Sequence, residues 1–399
     1  MERRDLRIFT SHPVQYQVPL FRGLVASGVN VEVGFYHQGA AGRKAYDDEF
    51  GIEFEWDIDL LNGYPYRIFL PQQANYKTNE QLKLTPQILS WALGDKKTPL
   101  LLVGWFAEIV WLIWFICIMA RNPTMVLCET TPISFLATPK PRWRESLLKW
   151  LLQHTSACLF IGTRNRAFLS NMGVPNKRLF YTPYSIDNQR FETQYGLLSP
   201  RRSELCHQHR LNPDLPTFLF CGKLILKKRP LQLLEAYLAA GLQNRAQLLY
   251  VGEGILRPEI ARRARNANAK HVHILGFLNQ SQMPLAYVLG EILCLISDPT
   301  ETWGLVVNEA LVCGRPVIVS ETVGCAPDLV SPQNGWVVPL DDLQALTKTL
   351  LNAYDRRAEW ESMGHIGQKK VARHTFGTMA VGMSLALDSI AVTSRRQIQ

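Results

Sequence analysis

The chain has 399 residues, enough at roughly 150 residues per domain for two independent cores and short for three. Hydrophobic residues make up 47% and charged residues 19%, with 26 glycines and 23 prolines, which excludes a disordered chain, a collagen-like fibre and a disulfide-stapled miniprotein. Lys and Arg number 43 against 34 Asp and Glu, a formal net charge of +9, so an anionic partner is expected: a phosphorylated ligand, a membrane surface or nucleic acid.

In chain order, Met1-Glu2-Arg3-Arg4-Asp5 runs straight into a strand-like stretch at 6–10, with no apolar core of signal-peptide length, so secretion is not expected. A second strand is expected at 29–37 and a helix over 81–93. Residues 99–120 carry one charge, Glu108, and approach the length that spans a bilayer. Gly104 breaks this stretch into a strand at 100–104 and an uncharged run of 12 residues at 109–120, which suits a buried helix better than a span. The cluster Trp111, Trp114, Phe115 keeps peripheral attachment open. Further strands are expected at 125–128, 157–162 and 179–183, with a helix over 144–154. The basic-aromatic run from Lys140-Pro141-Arg142-Trp143-Arg144 to Lys149-Trp150 suggests a face toward anionic lipid or a lipid-linked acceptor. No basic stripe interleaved with aromatics has the footprint of a nucleic-acid binder, so nucleic acid is not an expected partner.

Residues 185–216 are polar, lack strand periodicity and hold Arg201-Arg202 with Pro200, Pro213 and Pro216, so they read as a connection between domains. Strands at 217–222, 247–252, 272–275, 292–297, 316–320 and 335–339 then alternate with helical segments. The pattern predicts an α/β chain of two Rossmann-like domains, 1–195 and 196–375, followed by an apolar-periodic helix within 376–399 that can pack across both. The cysteines at 117, 128, 158, 206, 221, 294, 313 and 325 are scattered, never form C-x-x-C and mostly sit in apolar runs. They predict a reducing, cytoplasmic setting, at the inner face of the membrane if the lipid-facing run is used. Cys206, His207 and His209 lack a second ligand pair, and no metal site is expected.

Two stretches carry the chemistry. In Glu301-Thr302-Trp303-Gly304-Leu305-Val306-Val307-Asn308-Glu309, two carboxylates bracket a glycine directly after a strand. Thr302 can cap a helix whose first amides, at Gly304 to Val306, would bind phosphate, with Glu301 on one side and Glu309 reaching hydroxyls on the other. The alternative is a helix with a solvated Glu pair. In Gly222-Lys223-Leu224-Ile225-Leu226-Lys227-Lys228-Arg229-Pro230, four cations follow a strand end, where α/β sheets bind anions; the alternative is a solvated charged face. Gly252-Glu253-Gly254 resembles the start of a dinucleotide fingerprint, but Arg257 stands where its third glycine belongs.

Taken in order, Gly222-Lys223 to Lys228, Val251-Gly252-Glu253-Gly254, Leu275-Gly276-Phe277, Glu301-x7-Glu309-Ala310, Gly314-x-Pro316-Val317-Ile318 and Asn334-Gly335 resemble retaining glycosyltransferase family 4, the glycosyl transferases group 1. The N-terminal half is similar less closely, through residues 11–20 and 174–187. The resemblance implies a GT-B architecture: two Rossmann-like domains facing across a cleft, with the C-terminal helix crossing back to the N-terminal domain. It implies transfer of a hexose-type sugar from a nucleotide-diphosphate sugar to a glycan or lipid-linked acceptor, with retention of configuration and without a metal or other cofactor. Lys223, Lys228 and Glu301 would serve catalysis, the lysines on the diphosphate and Glu301 on the sugar hydroxyls. Gly222, Gly276, Phe277, Gly304, Leu305, Val306 and Glu309 would bind the donor, Glu309 through the ribose. His12 and Glu129 are candidates for acceptor or sugar contact, although a lone loop histidine more plainly has a surface role. Two departures stand out: the first basic position is Lys223 where Arg is commoner, and Trp105 stands where relatives carry a histidine after the strand at 100–104. Other readings are a non-catalytic GT-B module that binds a nucleotide sugar or glycan, and a nucleotide-sugar epimerase of GT-B fold.

Overall fold

The apolar runs become central strands because both of their faces are covered. In a computed structural model, which describes residues 4–70, 78–95 and 98–396, the strands are β1 (Arg4–Thr10), β2 (Val29–His37), β3 (Ala45–Asp47), β4 (Ile52–Phe54), β5 (Tyr66–Leu70), β6 (Leu100–Val103), β7 (Thr124–Leu127), β8 (Ala157–Phe160) and β9 (Leu179–Tyr181). They continue as β10 (Thr217–Cys221), β11 (Gln247–Val251), β12 (Val272–Gly276), β13 (Ile292–Leu295), β14 (Val317–Ser320) and β15 (Gly335–Val338). The chain divides into two compact units: one holds the residues up to Ala45, Phe54–Tyr184 and the chain from His374 on; the other holds Tyr46–Glu53 and Ser185–Arg373. Residues 1–3 of the opening stretch lie outside the described residues.

Among the described residues of the first unit, a parallel sheet runs in the order β5-β2-β1-β6-β7-β8-β9. β6 and β7 are buried at every position, which is why they read as unbroken apolar runs. The 99–120 stretch resolves into β6 and a helix of 12 residues, Glu108–Met119, that buries Ile109, Val110, Ile113, Trp114 and Cys117 in this core. Trp114 keeps its indole nitrogen satisfied at depth by donating to Thr155 Oγ1 at 2.9 Å. The last helix, Phe376–Arg396, belongs to this unit and packs on helix Val18–Ala26, β8 and β9.

The second unit's sheet runs β12-β11-β10-β13-β14-β15, the order of a doubly wound dinucleotide-binding fold. Phe218, Phe220, Leu248, Tyr250, Ile292, Cys294 and Ile318 form the centre of its core. All eight cysteines are buried, and none of them forms a disulfide.

Three features differ from the sequence expectation. The 185–216 connection is largely helical, over Asn188–Leu198 and Arg202–Gln208, with the Asp187 carboxylate capping the first helix through the Arg190 amide at 3.1 Å. That helix packs on helices Met283–Leu289 and Leu305–Val312, so the second unit starts at Ser185 rather than 196 and ends at Arg373 rather than 375. β5 and the β3–β4 hairpin were not expected; both are short and half-exposed, so neither produces an apolar run.

Candidate active site

In a doubly wound sheet the crevice opens where the strand order reverses, and here that is between the carboxyl ends of β10 and β13. Phe218 pairs with Ile292 and Leu219 with Leu293, which sets the loop after Cys221 beside the loop after Leu295. The Asp298 amide donates to the Lys227 carbonyl at 2.8 Å and ties the two loops together. Gly222, Lys223, Lys227 and Lys228 therefore face the residues around Glu301. Lys228 forms a direct ion pair with Glu301, both side chains being more than four-fifths buried. Lys223 Nζ lies 3.0 Å from both Asp47 carboxylate oxygens, 2.8 Å from Glu49 Oε2 and 4.7 Å from the centre of the Phe50 ring. Lys227 reaches Glu49 Oε1 at 3.3 Å. Partial burial alone would raise the Glu49 carboxyl, but hydrogen bonds and charge from Lys223 and Lys227 outweigh it and hold Glu49 below the usual range.

Helix Leu305–Val312 begins at this crevice, and its N-cap is Gly304 rather than Thr302. Gly304 sits at φ +93°, and a Cβ there would come within 2.8 Å of Leu295 Cδ2, so glycine is required by conformation and by space. A glycine N-cap brings no side-chain oxygen of its own, and the amides of Leu305 and Val306 stand in the first turn at the positive end of the helix dipole. Trp303 Nε1 donates to the buried Asn308 at 2.9 Å and fixes the loop against the helix. Glu309, on the next turn, is buried and accepts from Tyr287 Oη at 2.6 Å. Burial pushes its carboxyl up to about 7, against the opposing pull of the Tyr287 hydrogen bond and the Arg190 charge.

The turns after β11 and β12 line up beside β10. The Gly222 amide donates to Val251 O at 2.9 Å, and the Gly252 amide to Gly276 O at 2.8 Å. A Cβ on Gly252 would lie 2.0 Å from the Gly222 carbonyl, which explains the first glycine of the partial fingerprint. Arg257, in place of its third glycine, opens helix Arg257–Asn266 and pairs with Glu253. The Phe277 ring meets Phe50 edge-on at 5.3 Å.

His12 and Glu129 lie in the first unit. His12 follows β1, where that sheet also reverses order, and its ring stacks on His37 at 4.9 Å with Ser11 Oγ 3.0 Å from its Nδ1. Burial, then the neighbouring His12 and Arg43, push the His37 imidazole down to about 4. Glu129, after β7, accepts a hydrogen bond from the buried Tyr184 hydroxyl, whose ionisation burial and Glu129 push far up. Among the described residues no three of His, Cys, Asp or Glu are grouped to hold a metal ion, the 206–209 cluster included. Sequence reasoning missed Asp47, Glu49, Phe50, Tyr287, Arg190 and His37; each meets its partner through the fold rather than through local spacing.

Residues 215–356 match the family model of the glycosyl transferases group 1. The chain is 25% identical over 218 residues to a GDP-mannose-dependent alpha-(1-6)-phosphatidylinositol dimannoside mannosyltransferase of Mycobacterium tuberculosis, an alignment that covers 53% of each. It is 32% identical over 132 residues to a GDP-mannose-dependent monoacylated alpha-(1-6)-phosphatidylinositol monomannoside mannosyltransferase of Corynebacterium glutamicum, covering 32% of this chain and 34% of that protein. The chain thus spans about half the length, or less, of these curated relatives. Among solved structures, sucrose-phosphate synthase from Thermosynechococcus elongatus superposes with a TM-score of 0.74 at 17% identity, covering 98% of this chain and 100% of that one. The Anabaena protein HepE in complex with UDP and glucose does so at 0.72 and 15% identity, covering 97% and 100%. The chain has the GT-B fold, and its resemblance to the glycosyl transferases group 1 rests on residues 215–356, the heart of the second unit.

Proposed function

We propose that the chain is a nucleotide-sugar glycosyltransferase that moves a hexose-type sugar to a glycan or lipid-linked acceptor with retention of configuration. The observation that carries this reading is the convergence of Lys223, Lys228, Glu301 and an uncapped helix start at the switch point of the second unit's sheet. Breaking the bond between the anomeric carbon and the donor phosphate leaves charge on the diphosphate. Preplaced ammonium groups and amides stabilise that charge more than the ground state. They perform the work that a divalent cation performs elsewhere, so the reaction proceeds without a metal. The acceptor hydroxyl bonds to the anomeric carbon on the face the phosphate leaves, and its proton passes to the departing phosphate oxygen. Glu301 holds the sugar hydroxyls, and Glu309 accepts from the ribose.

Relatives named as GDP-mannose-dependent make GDP-mannose the first donor to test. The phosphatidylinositol mannosides in their names support a lipid-linked acceptor, and peripheral attachment at the inner face of the membrane is proposed with it. Leu112, Phe115 and Trp143 stand exposed on adjoining helices that also carry exposed Arg142 and Lys149, and Phe115 and Trp150 join those helices at 5.6 Å. The deciding experiment is a thermal-shift screen of GDP-mannose, UDP-glucose and ADP-glucose on the wild type and Lys228→Ala. One donor should raise the melting temperature of the wild type and much less that of the variant. No shift with any of the three would reject the donor site.

A further inference from the structure

The short hairpin between β3 and β4 is left without a role by the donor-site reading, although it occupies that site's cations. Residues Tyr46–Glu53 group with the second unit, and they reach it with their charged tip. Asp47 organises the turn: its Oδ1 accepts from the Glu49 amide at 3.0 Å and the Phe50 amide at 2.9 Å, while the Gly51 amide donates back to the Asp47 carbonyl at 2.8 Å. The same carboxylate, with Glu49, surrounds Lys223 and touches Lys227 at 2.8 to 3.3 Å. Phe50 lies between the Lys223 ammonium and the Phe277 ring. Two carboxylates and an aromatic ring therefore stand in the places that the donor-site reading gives to a diphosphate and its base.

We propose that this hairpin is a built-in competitor of the donor: Asp47 and Glu49 neutralise Lys223 and Lys227, and a nucleoside diphosphate must displace them to bind. The proposal rests on the donor-site reading above. It assigns the hairpin a gating role, because a bound diphosphate beside two unmoved carboxylates would bring like charges together at close range. Retraction of the tip is thereby coupled to arrival of the donor. The ion pairs are partly exposed, with side-chain accessibilities of 23% for Lys223, 30% for Asp47 and 47% for Glu49, so each contributes modestly and donor can win the exchange.

The test is calorimetric binding of inorganic pyrophosphate, GDP and UDP to the full chain as wild type, as Asp47→Asn/Glu49→Gln and as Lys223→Ala. Asparagine keeps the Oδ1 that accepts from the Glu49 and Phe50 amides, and Glu49 is nearly half exposed, so the double variant keeps the turn and loses the competing charge. It should bind pyrophosphate and the preferred nucleotide roughly three- to tenfold more tightly than wild type, the range set by three partly exposed ion pairs at a few tenths of a kcal/mol each. Lys223→Ala should bind both more weakly. Hydrogen exchange supplies an independent reading: amides of the 45–54 hairpin should exchange faster once the nucleotide is bound. Equal or weaker binding by the double variant, or a hairpin that gains protection with nucleotide, would overturn the gate while binding lost in Lys223→Ala would leave the donor site standing. Absence of binding to all three proteins would overturn both.

Discussion

Replacing Glu309 with glutamine separates what this side chain does for folding from what it does for the donor. Burial raises its carboxyl from 4.5 to about 7 in the folded chain. A folded-state value above the unfolded one means that its contribution to stability is complete below about pH 4.5 and is lost as pH rises through about 7, because the unfolded chain releases the proton first. At about 1.4 kcal/mol per pH unit the interval amounts to roughly 3 kcal/mol withheld from the native state at pH 8. Glutamine has nearly the same shape and never ionises. The stability of Glu309→Gln relative to wild type should therefore improve by roughly 3 kcal/mol between pH 4.5 and pH 8, read by urea unfolding of both proteins side by side. If Glu309 accepts from the ribose as proposed, the same variant should bind its nucleotide more weakly at pH 8, by roughly 10- to 100-fold, because such a charged acceptor is worth about 1.5–3 kcal/mol. Stability profiles that stay parallel across this range would refute the account of the buried carboxyl. A flattened profile with unchanged nucleotide affinity would refute the ribose role alone.

Lys228→Ala should lower kcat on the order of 10²-fold with a smaller change in KM, since the proposed mechanism has the ammonium act on charge that develops as the diphosphate leaves; a kcat within a few-fold of wild type would remove Lys228 from the chemistry. Gly304→Ala should lose about 1–3 kcal/mol by combining φ +93° with the approach to Leu295, and should weaken nucleotide binding as the helix start shifts; an unchanged melting temperature and affinity would contradict this. Phe115→Ser with Trp143→Ser should reduce flotation with anionic phosphatidylglycerol vesicles while leaving activity on a soluble acceptor unchanged, and equal flotation would reject the proposed membrane face.

What was legible in the sequence is what the chain encodes locally. β6, β7 and β10 are buried along their whole length, and so appear as apolar runs whose carboxyl ends can be read off. Gly222, Lys223, Glu301, Gly304 and Glu309 follow such ends at short, fixed spacings, so the outline of the candidate site is local in the sequence. Threonine is a good cap and the sequence points to Thr302, yet the left-handed Gly304 takes the position, and backbone handedness does not announce itself in a side-chain pattern. The partners of the cations were illegible for a different reason. Lys223 and Asp47 are 176 positions apart and Glu129 and Tyr184 are 55 apart, and no periodicity connects them. The helix Asn188–Leu198 buries Phe191 and points polar residues outward, which resembles a linker until its packing is known.

The placement of Phe376–Arg396 has a consequence for the order in which the molecule is made. As the chain leaves the ribosome, the strands of the first unit appear early. The helix that covers Val18–Ala26, β8 and β9 emerges only after all of Ser185–Arg373 has been translated. Met379, Met383 and Leu387 are buried in the finished protein, so the surface they cover is open throughout that interval. His374 Nδ1 lies 3.2 Å from the Tyr184 carbonyl, so the chain that leaves this unit after Tyr184 is in contact with the chain that returns to it at His374. The first unit to be synthesised is thus the last to be completed, and nascent chains stalled before His374 should recruit chaperones to an N-terminal half that already has its sheet.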